Sequence, residues 1–131
     1  MTEPSSPSPS ALVGAAKAGH TCLSDADYQG LTSAVLAKIE AIADQWLQDD
    51  IIDIDTQRTG GLLELSFPNG SKLIVNTQPP LQEIWLASKA GGFHFRFGND
   101  RWLDTRDGSE FFSALSTQAT AQGGKNLRFV A

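Results

Sequence analysis

Apolar residues recur at spacings of three and four along residues 24–48, which is the period of an amphipathic helix. The stripe consists of Tyr28, Leu31, Val35, Ile39, Ile42 and Trp46. Ser24 can cap this helix, and Asp27 follows it at the third helical position. Asp25 and Asp27 also suit the positive pole of a helix. The pattern therefore predicts a helix of about six turns that buries one face.

From Ile51 the period changes to two. Ile52, Ile54 and Thr56 alternate with Asp53, Asp55 and Gln57. This alternation predicts a first strand with one buried face and one acidic, wet face. Five further alternating runs, separated by turn signals such as Asn69-Gly70, predict strands around Leu65, Val75, Leu86, Phe95 and Trp102.

A second helix is expected to start at Asp107 or Ser109 and to end at Gly123-Gly124. Its buried side would be Phe111, Phe112, Leu115 and Ala119. The order is then α-β-β-β-β-β-β-α, and the short connections make the sheet mainly antiparallel. Each helix has one apolar stripe, so both must cover the same sheet face. The predicted class is α+β, a two-layer sandwich with a sheet of five to six strands and one open face.

The first 22 residues differ from the rest in composition. Pro4, Pro7 and Pro9 interleave with serines and show no apolar periodicity, so residues 1–22 are expected to be a disordered arm and residues 23–131 one domain. No apolar run approaches the ~20 residues of a membrane span, and the arm lacks the pattern of a signal or transit peptide. A cytoplasmic protein without a membrane partner is expected. The single cysteine, Cys22, excludes an internal disulfide.

Charge is unevenly distributed along the chain, whose net charge is −5. Between Asp25 and Asp55, eight acids stand against the single base Lys38, a balance of −7. The acids are Asp25, Asp27, Glu40, Asp44, Asp49, Asp50, Asp53 and Asp55. Such a face would repel nucleic acid and favours cations or a basic protein surface.

The sequence shows no catalytic motif. The paired glycines lack the spacing of a nucleotide-binding loop, and a Ser-His-Asp triad would have to use His94 without any motif that places a serine. Carboxylate oxygens are ligands for hard cations such as Ca²⁺, Mg²⁺, Mn²⁺ or Fe²⁺. Asp53 and Asp55, roughly 6.6–7 Å apart along a strand, could share a weakly held, hydrated ion. A solvated acidic edge that blocks aggregation is an equally good interpretation.

The open face of the predicted sheet carries a second candidate surface. Strand parity places Asn76, Trp85 and His94 on the side away from the helices. An aromatic residue beside polar side chains on a bare face is typical of a contact surface. The alternative is a local plug in which Trp85 packs against Ile74 or the Pro79-Pro80 segment.

Three runs of sequence resemble one family. They are Asn69-Gly70-Ser71-Lys72, then Gln78-Pro79-Pro80-Leu81-Gln82-Glu83-Ile84-Trp85-Leu86-Ala87, then Gly91-Gly92-Phe93-His94-Phe95. In this order they closely resemble frataxins of the bacterial CyaY type, over roughly residues 23–121. The fold of that family is the sandwich expected above.

The resemblance implies a function in iron–sulfur cluster assembly. It implies weak, exchangeable iron binding, as Fe²⁺ or Fe³⁺, along an acidic ridge made of the eight acids. It also implies docking on the cysteine desulfurase and the scaffold protein, with modulation of sulfur transfer and iron delivery as a further proposed role. The docking surface would be Asn76, Gln78 and Trp85, with His94 beside them. A monomer is expected, with iron-driven oligomers left open.

The chain departs from the family pattern at two places. Ala41, Gln45 and Gln48 stand where ridge carboxylates are common, and Arg96 stands where relatives often carry an acid. Two hypotheses remain: an iron-binding regulator, and a metal-independent acidic interaction module. They are compatible with each other, and neither requires enzymatic activity.

Overall fold

The computed structural model describes residues 22–131, so the arm expected over residues 1–22 lies outside the described residues except for Cys22. The elements are α1 Asp25–Gln48, β1 Asp55–Thr59, β2 Leu62–Ser66, β3 Lys72–Gln78, a 3₁₀ turn Pro79–Leu81, β4 Glu83–Ser88, β5 Gly91–Gly98, β6 Arg101–Asp104 and α2 Phe111–Gly123. The six strands form one sheet in chain order, and every neighbouring pair is antiparallel. The predicted α+β class and element order are confirmed. Within residues 22–131, neither helix has the length and apolar composition needed to cross a bilayer.

Helix α1 begins where the sequence predicts, because the Ser24 hydroxyl accepts a hydrogen bond from the Asp27 N–H at 3.0 Å. Its buried face is Tyr28, Thr32, Val35, Leu36, Ile39 and Ala43. Leu31, Ile42 and Trp46 are only partly buried, so the buried face is rotated from the predicted stripe. Thr32 is tolerated in this face because its hydroxyl donates to the Tyr28 carbonyl at 2.9 Å.

The first strand begins later than the alternation suggests. Ile52 and Ile54 are buried and Asp53 is exposed, as predicted, but the ladder starts only at Asp55, which pairs with Ser66. Strand β2, the partner of β1, ends at Ser66, and Phe67 leads into the turn of the β2–β3 hairpin, where its N–H bonds to the Ser71 carbonyl. The prediction that Asp53 and Asp55 lie on one strand face is therefore wrong, since Asp53 precedes the strand.

The second helix also begins later than expected, at Phe111 rather than after Asp107 or Ser109. The carboxylate of Glu110 is the cap and accepts from the N–H groups of Phe112 and Ser113. Asp107 instead accepts from the Ser109 N–H within its own turn. The helix ends as predicted at Gly124, where φ is +73°.

One hydrophobic core lies between the helices and one face of the sheet. Strand residues that point toward the helices, among them Leu65, Val75, Ile84 and Phe95, are fully buried. The C-terminal segment closes the core through Leu127 and Phe129, which are 1% and 3% exposed. All the fully buried sheet residues point to the helices, and within residues 22–131 no layer covers the opposite face.

The hydroxyl of Tyr28 joins α1 to the turn between β3 and β4. It donates to the Glu83 carbonyl at 2.6 Å and accepts from the Gln78 N–H at 3.0 Å. The ring packs edge-on against Trp102, with centroids 6.0 Å apart. Burial raises the pKa of the phenol, the hydrogen bond from Gln78 lowers it, and the Glu83 carboxylate raises it.

We expect Tyr28→Phe to lower the free energy of unfolding by about 1–3 kcal/mol, because it leaves one backbone donor and one acceptor without a partner. Urea unfolding at neutral pH measures this loss. A variant as stable as the wild type would show that these two hydrogen bonds do not hold the helix to the sheet.

The same hydroxyl predicts a pH dependence. The folded-state pKa lies above the ordinary 10.0, so the unfolded chain loses the proton first. The contribution of the Tyr28 hydroxyl to the free energy of unfolding is therefore fully present below about pH 10, and it declines as the pH rises through the folded-state pKa. Because Tyr28 is the only tyrosine, tyrosinate absorbance reports on it alone. In Tyr28→Phe we expect a shallower alkaline decline, and an identical decline would contradict the assignment.

Candidate functional site

The acidic residues occupy two separate places along α1. Asp25 and Asp27 lie in its first turn, where they face the positive pole of the helix. Asp49 and Asp50 follow its other end, about 36 Å away at 1.5 Å per residue. The structure therefore separates the first pair from the remaining acids, and no single ion can be shared between them.

The second group, which we call the acidic segment, comprises Glu40, Asp44, Asp49, Asp50, Asp53 and Asp55. Glu40 and Asp44 are four residues apart and share a face of α1. Asp53 lies in the exposed connection to β1, and Asp55 opens β1 on the open face of the sheet. The segment thus passes from the end of the helix, around the sheet edge, onto the open face.

The acidic segment includes the C-terminal end of α1, where one residue has a left-handed backbone conformation. The Ile51 N–H bonds to the Trp46 carbonyl at 2.8 Å and the Asp50 N–H bonds to the Leu47 carbonyl at 3.1 Å. These two bonds define a Schellman motif with Asp50 at the left-handed position, where φ is +58°. Glycine is the usual residue there because a Cβ atom is strained at positive φ. An aspartate at this position costs stability.

Electrostatics adds to that cost. The carbonyl end of a helix carries partial negative charge, and carboxylates are unfavourable beside it. No basic residue lies in the last turn of α1, whereas Asp44, Asp49 and Asp50 are close to it. Lys125 is a cation beside this end, and its ammonium group donates to the Ile51 carbonyl at 2.7 Å. The partial charges of the helix carbonyl groups therefore add to the negative charge of the aspartates at this end of α1.

Several carboxylates of this segment already form hydrogen bonds or ion pairs with neighbouring side chains. Glu40 forms an ion pair with Arg58 of β1 at 3.1 Å. The Gln48 amide donates to the Asp44 carboxylate at 3.1 Å. The Gln45 amide donates to the Asp49 carboxylate at 3.0 Å. Among residues 22–131, no three His, Cys, Asp or Glu side chains converge as a metal cage. The donor atoms suit a hydrated hard cation, and water would have to complete its shell.

The open face carries the other predicted surface. Asn76 pairs across strands with Trp85, and Trp85 pairs with His94, so the three side chains form one row. The Trp85 and His94 rings are stacked, with centroids 4.2 Å apart and planes 5° apart. Gln78 lies two residues after Asn76 and pairs with Glu83. The predicted set is thus brought together on one face of three adjacent strands.

A residue that the pattern did not single out holds this row. Glu83 is buried, and its carboxylate accepts from the Trp85 Nε1–H at 2.7 Å and from the Arg96 Nε–H at 2.8 Å. The Nδ1 atom of His94 lies 3.7 Å from the same carboxylate. The sequence did contain a signal, because Glu83 lies two positions before Trp85 and so shares its face. Its partner Arg96 could be found only once the register was known.

The pKa shifts do not point to catalytic chemistry. Besides Tyr28, the pKa of Asp107 is displaced, and it is lowered chiefly by the hydrogen bond from the Ser109 backbone. Asp107 is exposed in a turn, and Tyr28 bonds to backbone groups. Both shifts have structural explanations.

Comparison with known proteins gives consistent results. Residues 21–125 match the model of the frataxin-like domain. The chain is 50% identical over 107 residues to an iron–sulfur cluster assembly protein CyaY of Polaromonas, with 82% of this chain and 92% of that one aligned. It is 51% identical over 109 residues to the CyaY of Burkholderia mallei, with 83% and 100% aligned.

Solved structures show the same fold. The frataxin of Psychromonas ingrahamii matches with a TM-score of 0.74 and 33% identity, over 83% of this chain and all of that one. A trimeric frataxin from the yeast Saccharomyces cerevisiae, complexed with ferrous iron, matches with a TM-score of 0.58 and 25% identity, over 80% and 90%.

The strained terminus of α1 gives a stability prediction. We expect Asp50→Gly to raise the free energy of unfolding by about 1 kcal/mol, because it removes both the Cβ strain and a charge at the negative pole. Asp50→Asn, which removes only the charge, should give a smaller gain. Asp53→Asn is the matched control, because it removes a charge beyond the helix end. Urea unfolding of the three variants measures these effects, and a loss of stability in Asp50→Gly would contradict the prediction.

Proposed function

The chain is a member of the frataxin-like family, of the bacterial CyaY type, and from that membership we propose that it regulates iron–sulfur cluster assembly in the cytoplasm. In this proposal the acidic segment binds iron weakly, and the open sheet face docks on the cysteine desulfurase and the scaffold protein. Docking modulates sulfur transfer, and iron delivery is a further role of the same complex. The observation that carries the proposal is the costly placement of carboxylates at the end of α1.

That placement is hard to explain as a stabilising feature. Asp50 combines a left-handed backbone with a negative charge at the negative helix pole, and both terms oppose folding. Strained and electrostatically unfavourable residues tend to cluster at functional sites. A bound cation or a basic partner surface would remove the electrostatic part of the cost.

Iron fits the donor set as an exchangeable ion. The acidic segment offers carboxylate oxygens, which suit Fe²⁺ and other hard divalent cations. Because several of these oxygens already accept hydrogen bonds or ion pairs, an ion would keep much of its water. Weak affinity and fast exchange follow, as does tolerance of Mn²⁺ or Ca²⁺ in place of iron.

We expect ferrous iron, added without oxygen, to perturb the backbone amide signals of residues 49–55 first. The double variant Asp49→Asn/Asp50→Asn should weaken this response severalfold. Asp25→Asn/Asp27→Asn is the matched control, since it removes the same charge at the other end of α1. Amide spectra recorded during an iron titration measure the response. Unmoved signals of residues 49–55 at millimolar iron would refute the metal role.

The open face supports docking because the side chains of Asn76 and Trp85 on it are neither buried by the fold nor fully solvated. Trp85 is half-buried and stacked on His94, and Asn76 lies next to it. Tryptophan is enriched among residues that dominate binding energy, especially when polar groups surround it. The row therefore has the composition of an interface centre.

We expect Trp85→Ala to weaken binding to the cysteine desulfurase by at least about tenfold, as is typical when a central aromatic anchor is lost. Val130→Ala is the control, because Val130 is 54% exposed and follows the buried Phe129 on the helix side of the sheet. Calorimetric or surface-based binding assays measure both affinities. Equal affinities of the wild type and Trp85→Ala would remove this face from the docking model.

A metal-independent interaction module is the second candidate, and a specific observation favours it. Gln45 and Gln48 occupy places beside Asp49 and Asp44 where carboxylates would strengthen a metal site. On this hypothesis the acidic segment meets a basic partner directly. Binding of the iron-free protein to the desulfurase would then fall steeply with salt, since exposed charges are screened within about 8 Å at physiological ionic strength.

A further inference from the structure

Glu83 is unusual among the charged residues of the open face. Its side chain is only 7% exposed, whereas those of His94 and Arg96 beside it are 47% and 41% exposed. Burying a carboxylate is unfavourable unless it is paired and hydrogen-bonded. On a face that none of the described elements covers, such burial calls for a reason beyond the core.

The hydrogen bonds of Glu83 are divided between two neighbours. One oxygen, Oε1, accepts from the Trp85 indole, and the other, Oε2, accepts from the Arg96 guanidinium. Bonds to an ionised acceptor are stronger than neutral ones. Arg96 thus fixes the carboxylate from β5, and the carboxylate fixes the indole on its own strand. His94 then covers the indole by stacking.

We propose that Glu83 is a positioning residue that holds Trp85 in its docking orientation. This inference rests on the proposed docking role of Trp85. The ordered indole loses less rotamer freedom when a partner binds, which favours affinity. Because its Nε1–H is already committed to Glu83, the indole contacts the partner through ring carbons alone. The complementary group on the partner is therefore one that packs on the carbon atoms of the ring, such as an apolar side chain, rather than a hydrogen-bond acceptor.

The first test needs no partner. In the wild type, we expect the Trp85 indole proton, assigned by its absence in Trp85→Phe, to be protected from solvent exchange. Glu83→Ala should speed this exchange by about tenfold or more, because the charge-assisted bond is lost. Glu64→Ala is the matched control, since Glu64 is an acid of the same face that pairs with Lys72 instead, at 2.9 Å.

Glu83→Gln provides a second variant if Glu83→Ala does not fold. It offers one carbonyl oxygen to both Trp85 and Arg96, so exchange of the indole proton should be intermediate. If Glu83 contributed only to overall stability, its replacement would not selectively speed the exchange of the Trp85 indole proton. Exchange equal to that of the wild type in the folded variants would overturn the proposal.

The second test asks whether Glu83 acts through Trp85. We expect Glu83→Ala to weaken desulfurase binding severalfold, and Glu83→Ala/Trp85→Ala to bind no more weakly than Trp85→Ala alone. Residues that act as a unit give such non-additive losses. Additive losses would overturn the proposal. If the wild type does not bind the desulfurase, the proposed function fails, and the exchange measurement still decides whether Glu83 positions the indole.

Discussion

Each helix has a single apolar face, and both faces are buried against the same side of a six-stranded antiparallel sheet. In the part of the chain that the structure describes, this constraint leaves the other side of the sheet without a layer. Side chains on that side must satisfy one another or remain in water. The Glu83 carboxylate, its two donors and the stacked His94 are one local solution. The bare face is thus a consequence of how the core is built, and the two meet at Glu83, whose backbone carbonyl accepts from the buried Tyr28 hydroxyl.

The acidic segment differs from the open face, because its carboxylates at the C-terminal end of α1 lower the stability of the folded protein. The first turn of α1 uses Asp25 and Asp27 favourably, while the same residue type at the other end meets the negative pole. Arg58 and Lys125 offset part of this charge through Glu40 and the Ile51 carbonyl. Asp44 and Asp49 each accept a hydrogen bond from a glutamine amide, and the exposed carboxylates of Asp50, Asp53 and Asp55 face solvent.

The sequence predicted the architecture well because the apolar periods change clearly between helix and strand. The strand prediction was wrong at Asp53. Buried and exposed residues alternate there as in a strand, but Asp53 has no partner in the ladder. The pattern of one segment cannot show where the neighbouring strand ends. The sequence pattern missed the Glu110 cap because Asp107 and Ser109 are equally good candidates until their hydrogen bonds are known. The pairing of Glu83 with Arg96 depends on register, which is a tertiary property.

The two surfaces lie close enough for one partner to cover both. Asp55 opens β1 on the open face, and Trp85 lies three strands away and four residues further along the sheet, roughly 20 Å at the usual strand spacing and rise. A typical interface covers about 800 Å² on each partner, which is wide enough to extend from one to the other. An ion at the acidic segment would then lie at the edge of the docked partner. Any effect of such an ion on the affinity for the partner would equal the effect of the partner on the affinity for the ion, because linkage between two bound ligands is reciprocal.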